Sequence, residues 1–319
     1  MVRIQAENFS LDQIWQSGQC FRMRKAGDEE RKEEGRREEG RGPGQVQGQT
    51  QGQTQTQAQA QGGRGVRYEM VAGQRYLEAV SYGGECLLSC SEEEFEDFWR
   101  GYFDLDGDYG AYISRINPRD GYLVEAAELG WGIRILRQDL WETLVSFLIS
   151  QQNNIMRIRR CIDNLCERYG ERRVSESGRV YYGFPEPKAL AGLGEDDLMA
   201  CNLGYRSKYV VRAAKRVVSG EMDLDRVREM GYREAKEELL KLYGVGEKVA
   251  ECICLFALHH LEAFPVDTHI SQALGKHYRR GFPMRRYKGI LGVIQQYIFY
   301  YELHGDKEGT VLSCTFEKS

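Results

Sequence analysis

The chain has 319 residues, 41% of them hydrophobic and 29% charged, with a formal net charge of −4, a length that suits one large domain or two medium ones. Its mean hydropathy is −0.56, and no apolar run approaches the ~18 to 20 residues of a membrane span, which excludes a membrane helix. Residues 1–7 lack the apolar core of a secretory signal, which argues against export.

Nine cysteines with no paired C-x-x-C spacing fit neither a disulfide scaffold nor a zinc site, and point to a reducing cytoplasm. Residues 14–23 and 68–90 read as short strands separated by glycine turns, an antiparallel sheet. A low-complexity insertion interrupts this unit over residues 27–66. It opens with seven acids among residues 28–41 and continues with Gln at every odd position from Gln45 to Gln61. Its alternating partners are small or polar, so neither face offsets chain entropy by apolar burial. A disordered spacer is expected, with Gln-mediated self-association as the alternative. Ser91 followed by Glu92, Glu93 and Glu94 reads as an N-cap with first-turn acids, opening a helix through Trp99 and Tyr102.

From about Gly110 the pattern becomes helical. Trp141, Leu144, Val145, Leu148 and Ile149 share one face; Gln151-Gln152-Asn153-Asn154 interrupts; Ile155, Ile158, Ile162 and Leu165 resume the period, with Gly170 as the stop. Further amphipathic stretches cover residues 195–203, 207–218, 232–242, 248–258 and 287–302. The fold class is α+β: an N-terminal antiparallel β domain over residues 1–118, then a helical domain over residues 119–319.

The string Leu242-Tyr243-Gly244-Val245-Gly246-Glu247-Lys248-Val249-Ala250 carries the chemistry. One helix runs into it, two glycines enclosing Val245 form a tight hairpin, and a second helix starts by Lys248. Glycine suits both positions because so sharp a bend needs unusual dihedrals and close backbone approach. The amides at the second helix's N-terminus make an anion site. Lys248 stands at the positive end of that helix, beside an apolar interior. Both effects disfavour the ammonium and favour a nucleophilic amine. Downstream, Pro265-Val266-Asp267-Thr268-His269 places Asp267 where a new helix starts, as an N-cap, as a stabiliser of a developing cation, or as both.

The hairpin, followed by Pro265-Val266-Asp267, resembles the helix-hairpin-helix superfamily of DNA base-excision glycosylases. More closely, the chain resembles the 8-oxoguanine DNA glycosylases. Ser17-Gly18-Gln19-Cys20-Phe21-Arg22 is similar to that family's N-terminal signature, Asn153-Asn154-Ile155-Met156-Arg157 to its asparagine turn, residues 203–209 to its wedge, and Gln295-Gln296-Tyr297-Ile298-Phe299 to its base-pocket helix. The resemblance implies a bifunctional glycosylase and AP lyase acting on double-stranded DNA that contains oxidised guanine, as a monomer, with no cofactor, no metal and no membrane partner.

By the same resemblance the target base is flipped out of the stack, Lys248 attacks its sugar, and Asp267 stabilises the transition state. The Gly18 carbonyl would accept the N7 proton that 8-oxoguanine has and guanine lacks. An undamaged guanine would leave that acceptor unpaired, at ~1–3 kcal/mol. Cys252 and Phe299 would sandwich the base and Gln295 would bind its pairing edge. Tyr205 and Arg206 would fill the gap; Gln152, Asn153 and Arg157 would face the orphaned partner; Gly244, Val245, Gly246 and His269 would meet phosphates. Gln152 stands where the eukaryotic-type pattern has asparagine, so opposite-base preference is open. A glycosylase for another damaged purine and a non-catalytic DNA-binding hairpin module are the competing classes.

The acidic balance alone argues against a nucleic-acid partner, yet the charge is segregated. Residues 201–220 hold Arg206, Lys208, Arg212, Lys215 and Arg216 with no acid. Residues 264–290 hold six basic residues against Asp267 alone. Both stretches flank the expected site, where phosphates would lie.

Overall fold

The computed structural model describes residues 1–26 and 65–305; the expected disordered insertion and Cys314 lie outside them, apart from the insertion's last two residues. Five strands, β1 (Val2–Ile4), β2 (Met23–Lys25), β3 (Val66–Ala72), β4 (Arg75–Tyr82) and β5 (Glu85–Leu88), form an antiparallel sheet in the order β1-β5-β4-β3-β2. Register follows the apolar alternation: Met70 pairs with Leu77 and Ala79 with Leu88, and all four side chains point into the same core.

The run expected as a strand over residues 14–23 is corrected. Its first part is a helix, α1 (Leu11–Gln16), whose N-cap Ser10 accepts from the Gln13 amide at 3.3 Å. Leu11 and Ile14, one turn apart, are both fully buried against the sheet. Only residues 23–25 extend as strand, and the connecting turn is irregular. After β5 the Ser91 cap forms as expected, accepting from the Glu94 amide at 3.0 Å. The helix it opens runs Glu92–Glu94, passes through a π-helical segment at Phe95–Trp99, and finishes at Arg100–Tyr102.

The helices that shape the site are α2 (Leu140–Ser150), α3 (Ile155–Tyr169), α4 (Ser207–Val218), α5 (Tyr232–Leu240), α6 (Glu247–Phe256), α7 (Thr268–His277) and α8 (Leu291–His304). Asp139, Asn154 and Asp267 cap α2, α3 and α7 with side-chain oxygens. The stretch at residues 195–203 is a 3-10 turn (Asp196–Cys201), not an α-helix. A small strand pair, Arg172–Val174 with Val180–Tyr182, had no counterpart in the sequence reading.

Two apolar cores result, one under the sheet and one among the helices, and each takes side chains from the other unit. Phe21 packs in the helical core and Leu136 in the sheet core. Between them, the Gln19 side chain donates to the Arg134 carbonyl at 2.9 Å and accepts from the Leu136 amide at 2.8 Å. Gln138 donates to the Gln19 carbonyl at 2.8 Å. Buried Arg22 lies 3.5 Å from Glu142, which also accepts from the Gly73 amide at 2.7 Å. Burial pushes the Glu142 carboxyl up to about 7 against the opposing pull of Arg22. The turn at residues 17–22 is therefore held from both sides, which fixes where Gly18 sits.

Candidate active site

The hairpin joins α5 to α6. Gly244 has φ +90°, and a Cβ built there would lie 2.5 to 2.9 Å from three atoms of the Tyr209 ring. Only glycine fits. Gly246 differs from expectation: its backbone is extended (φ −99°, ψ 179°), which any residue can adopt. What it leaves is open space, since nothing lies within 4 Å of a Cβ there and no side chain caps α6. The first amides of α6 thus face outward as a donor set. Val245 is buried in the helical core, as the tight turn requires.

Lys248 is the second residue of α6 and half-buried, its ammonium 5.3 Å from the centre of the Phe147 ring. One turn on, the buried Cys252 thiol is pushed up to about 11 by burial. The Lys248 charge and a Lys248 hydrogen bond pull it down, while the Asp267 carboxylate adds to the rise. Lys248 and Asp267 thus both act on the Cys252 thiol, in opposite directions. Asp267 caps α7 through Oδ1, which accepts from the Ile270 amide at 2.9 Å. The cap expected of this residue is thus formed.

A residue outside the sequence reading holds this pair together. Glu251, buried on α6, accepts from the Phe264 amide at 2.7 Å, from the Tyr232 hydroxyl at 2.6 Å and from Lys236 at 2.7 Å. It ties the lysine-bearing helix to the segment that delivers Asp267. The available signal was a carboxylate on a helix otherwise apolar on nearly every face, since a buried charge requires partners.

Gly18 and Phe299 come together from opposite ends of the chain. Gly18 has φ +73°, and a Cβ there would lie 3.2 Å from the Phe299 ring. The His269 ring meets the same phenyl edge-on, with centroids 6.1 Å apart. Gln295, one turn before Phe299, is buried, donating to the Pro265 carbonyl at 3.1 Å and accepting from Gln296 at 3.0 Å. Gly18, His269 and Phe299 thus form one wall, and Gln295 binds the carbonyl two residues before Asp267.

The turn between α2 and α3 carries Gln152 exposed and left-handed, at φ +46°. Asn153 donates to the Ile149 carbonyl at 3.2 Å, and Arg157 is exposed on the first turn of α3. Tyr205 is 45% exposed, its hydroxyl 3.5 Å from the Gln152 side-chain oxygen. Arg206, expected beside it in the gap, instead points inward at 3% exposure. Its Nε donates to the Gln151 carbonyl at 2.8 Å and its terminal nitrogen to the Gln152 carbonyl at 2.9 Å. Gln151, which the sequence did not single out, donates from its side chain to the Gly244 carbonyl at 3.0 Å. Among the described residues no group of three or more His, Cys, Asp or Glu is placed to hold a metal ion, and no helix is long and apolar enough to cross a membrane.

Residues 1–144 match the 8-oxoguanine DNA glycosylase N-terminal domain, and residues 145–282 match the HhH-GPD superfamily of base-excision DNA repair proteins. A solved structure of MBOgg1 in complex with a low-affinity DNA ligand superposes with a TM-score of 0.78 at 31% identity, over 94% of each chain. The 8-oxoguanine glycosylase/lyase of Clostridium acetobutylicum, bound to double-stranded DNA with cytosine opposite 8-oxoG, gives a TM-score of 0.75 at 32% identity, over 92% of each chain. The N-glycosylase/DNA lyase of Saccharomyces cerevisiae is 35% identical over 159 residues, which are 46% of this chain and 42% of that one. The chain spans less than half of the yeast relative.

Proposed function

The chain belongs to the 8-oxoguanine DNA glycosylase family of the HhH-GPD superfamily, and from that membership we propose that it excises 8-oxoguanine from duplex DNA and then nicks the strand. The observation that carries the reading is Lys248 at the start of the hairpin helix, one turn before buried Cys252, with Asp267 capping the helix that follows. In the reaction, the Lys248 amine bonds to C1′ of the flipped nucleotide as the glycosidic bond breaks. The bond's electron pair leaves with the base, which takes up a proton. Asp267 stabilises the cationic sugar, a task a capped but charged carboxylate performs at low reorganisation cost. The nitrogen lone pair of Lys248 then displaces O4′ from C1′, which opens the sugar ring to a protonated Schiff base; this acidifies C2′, and loss of a C2′ proton expels the 3′ phosphate by β-elimination.

Gly18 faces the base edge with its carbonyl, and Phe299 stacks on it with Cys252 on the other face. Gln295 reaches the pairing edge once it leaves the Pro265 carbonyl. The outward amides of Gly246 and its successors, with His269, hold phosphates beside the lesion. Tyr205 wedges the duplex, Arg206 braces the wedge from behind, and Gln152, Asn153 and Arg157 face the orphaned base. The protein works as a monomer in the reducing compartment that holds DNA, in keeping with eight described cysteines that are all unpaired and buried.

Borohydride trapping on an 8-oxoguanine duplex tests this. Wild type yields a covalent adduct and Lys248→Gln none; no adduct from wild type, or equal yields from both, refutes the mechanism. Excision measured against all four opposite bases reads the preference that Gln152 imposes.

A further inference from the structure

We propose that the outer face of α4, together with Tyr243, forms a second phosphate-binding strip that carries the duplex backbone away from the hairpin. The proposal rests on the functional reading above and extends it to residues that the lesion chemistry does not use. Lys208, Arg212 and Lys215 recur at i, i+4 and i+7 on α4, so they line one stripe, while Val210, Val211, Ala213 and Ala214 bury the opposite side. At 1.5 Å per residue the stripe is ~10 Å long. One DNA strand presents a phosphate every ~3.4 Å of helix axis, so the stripe faces about three phosphates.

Tyr243 stands just before the hairpin glycines and is 46% exposed. The Arg212 guanidinium lies 4.3 Å from its ring centre, and the Lys208 ammonium 5.7 Å from it and 5.6 Å from Tyr209. Tyr205, Tyr209 and Tyr243 form an edge-to-face ladder, with centroids 5.7 and 5.4 Å apart, that joins the wedge to the hairpin. A groove of ≈ 540 Å³ beside it has Leu240 and Leu242 in its lining together with the cations Arg212, Lys215, Arg216 and Lys241, and it reaches Gly244. Two of its cations are already engaged, Arg216 with Glu221 and Lys241 with Glu238. Arg212 has only Glu195, at 3.9 Å and exposed. Lys208 and Lys215 have no ion pair among the described residues. Tyrosine faces hold Lys208 and Arg212 in place without neutralising them, which leaves their charge, with that of exposed Lys215, for an external anion. Continuity with Gly244 identifies that anion as the DNA backbone.

The test measures the dissociation constant against salt concentration, using a 30-base-pair duplex with a non-cleavable abasic analogue. Each lost phosphate contact lowers the log–log slope by ~0.9, so Lys208→Ala/Arg212→Ala/Lys215→Ala should lower it by ~2 to 3. Removing three cations from other elements (Arg3→Ala/Arg67→Ala/Arg119→Ala) should leave it near wild type. Shortening the duplex on one side of the lesion, but not the other, should erase the difference between wild type and the α4 variant. An unchanged slope, an equal loss in the control variant, or a difference that survives both truncations overturns the proposal. Lys215→Glu, a single change at an exposed position, should lower the slope by at least ~0.9 even if the triple variant misfolds; failure to do so counts equally against it. Wild type that binds no DNA refutes the functional reading instead.

Discussion

Replacing Gly244 by alanine adds one carbon atom at the point where α4 meets the hairpin. Two separable costs follow. Alanine at φ +90° sits in left-handed backbone space, at ~1–2 kcal/mol. Its Cβ would also meet three Tyr209 ring atoms at 2.5, 2.7 and 2.9 Å. Relieving that overlap means moving a ring wedged between Tyr205 and Tyr243, an overpacking cost of ~1–3 kcal/mol. The expected loss is therefore ~2–5 kcal/mol, read from urea unfolding of wild type and variant. Tyr209→Ala as background separates the parts: with the ring gone, Gly244→Ala should cost only the backbone share, ~1–2 kcal/mol. A cost below ~1 kcal/mol in wild type, or the same cost in both backgrounds, refutes the claim that Tyr209 dictates this glycine.

Three further outcomes are expected. Asp267→Asn keeps an acceptor for the Ile270 amide and should leave stability within ~0.5 kcal/mol, whereas Asp267→Ala should lose ~1 kcal/mol; both should abolish excision, and an active Asn variant would assign this residue to capping alone. Arg206→Ala removes charge-assisted bonds to the Gln151 and Gln152 carbonyls, costing ~1.5–3 kcal/mol in unfolding measurements; a fully stable variant would refute the bracing role. Asp104 is buried, and burial alone raises its pKa, but the hydrogen bonds of Arg137 and the nearby His259, 3.1 Å away, outweigh this and lower it. A carboxylate lowered on folding contributes stability above its unfolded pKa, ~3.9, and loses it as pH falls through the lower folded value. The stability gap between wild type and Asp104→Asn should therefore shrink as the solution is acidified below about pH 4; a gap that widens with acid there would reverse the sign.

What could be read along the chain was what depends on near neighbours. Ser91 and Asp267 were legible as caps because a cap acts on amides two or three residues away. The hairpin was legible because two glycines around a valine, at the seam of two helical patterns, permit few conformations. The helix at Leu11–Gln16 was misread because six residues are too few to separate a helical from an extended period. Gly246 was credited with a backbone need that only Gly244 has, since sequence does not report φ. The inward turn of Arg206 and the three donors gathered by Glu251 join segments 13 to 55 residues apart, which no local pattern encodes. Gly18 and Phe299 were placed in one pocket by family likeness; nothing local links residues so distant.

The side chain of Gln151 has a thermodynamic consequence. It grips the Gly244 carbonyl while its own backbone carbonyl is held by Arg206 and the next residue is Gln152. The hairpin and the turn are thus one mechanical body, and order imposed on either is shared by the other. Binding free energies obey reciprocity: whatever factor an anion at the hairpin adds to affinity at the turn, a base held at the turn returns to the hairpin. On the function proposed above, a protein joined in this way would weigh the backbone and the orphaned base together, as a single coupled event.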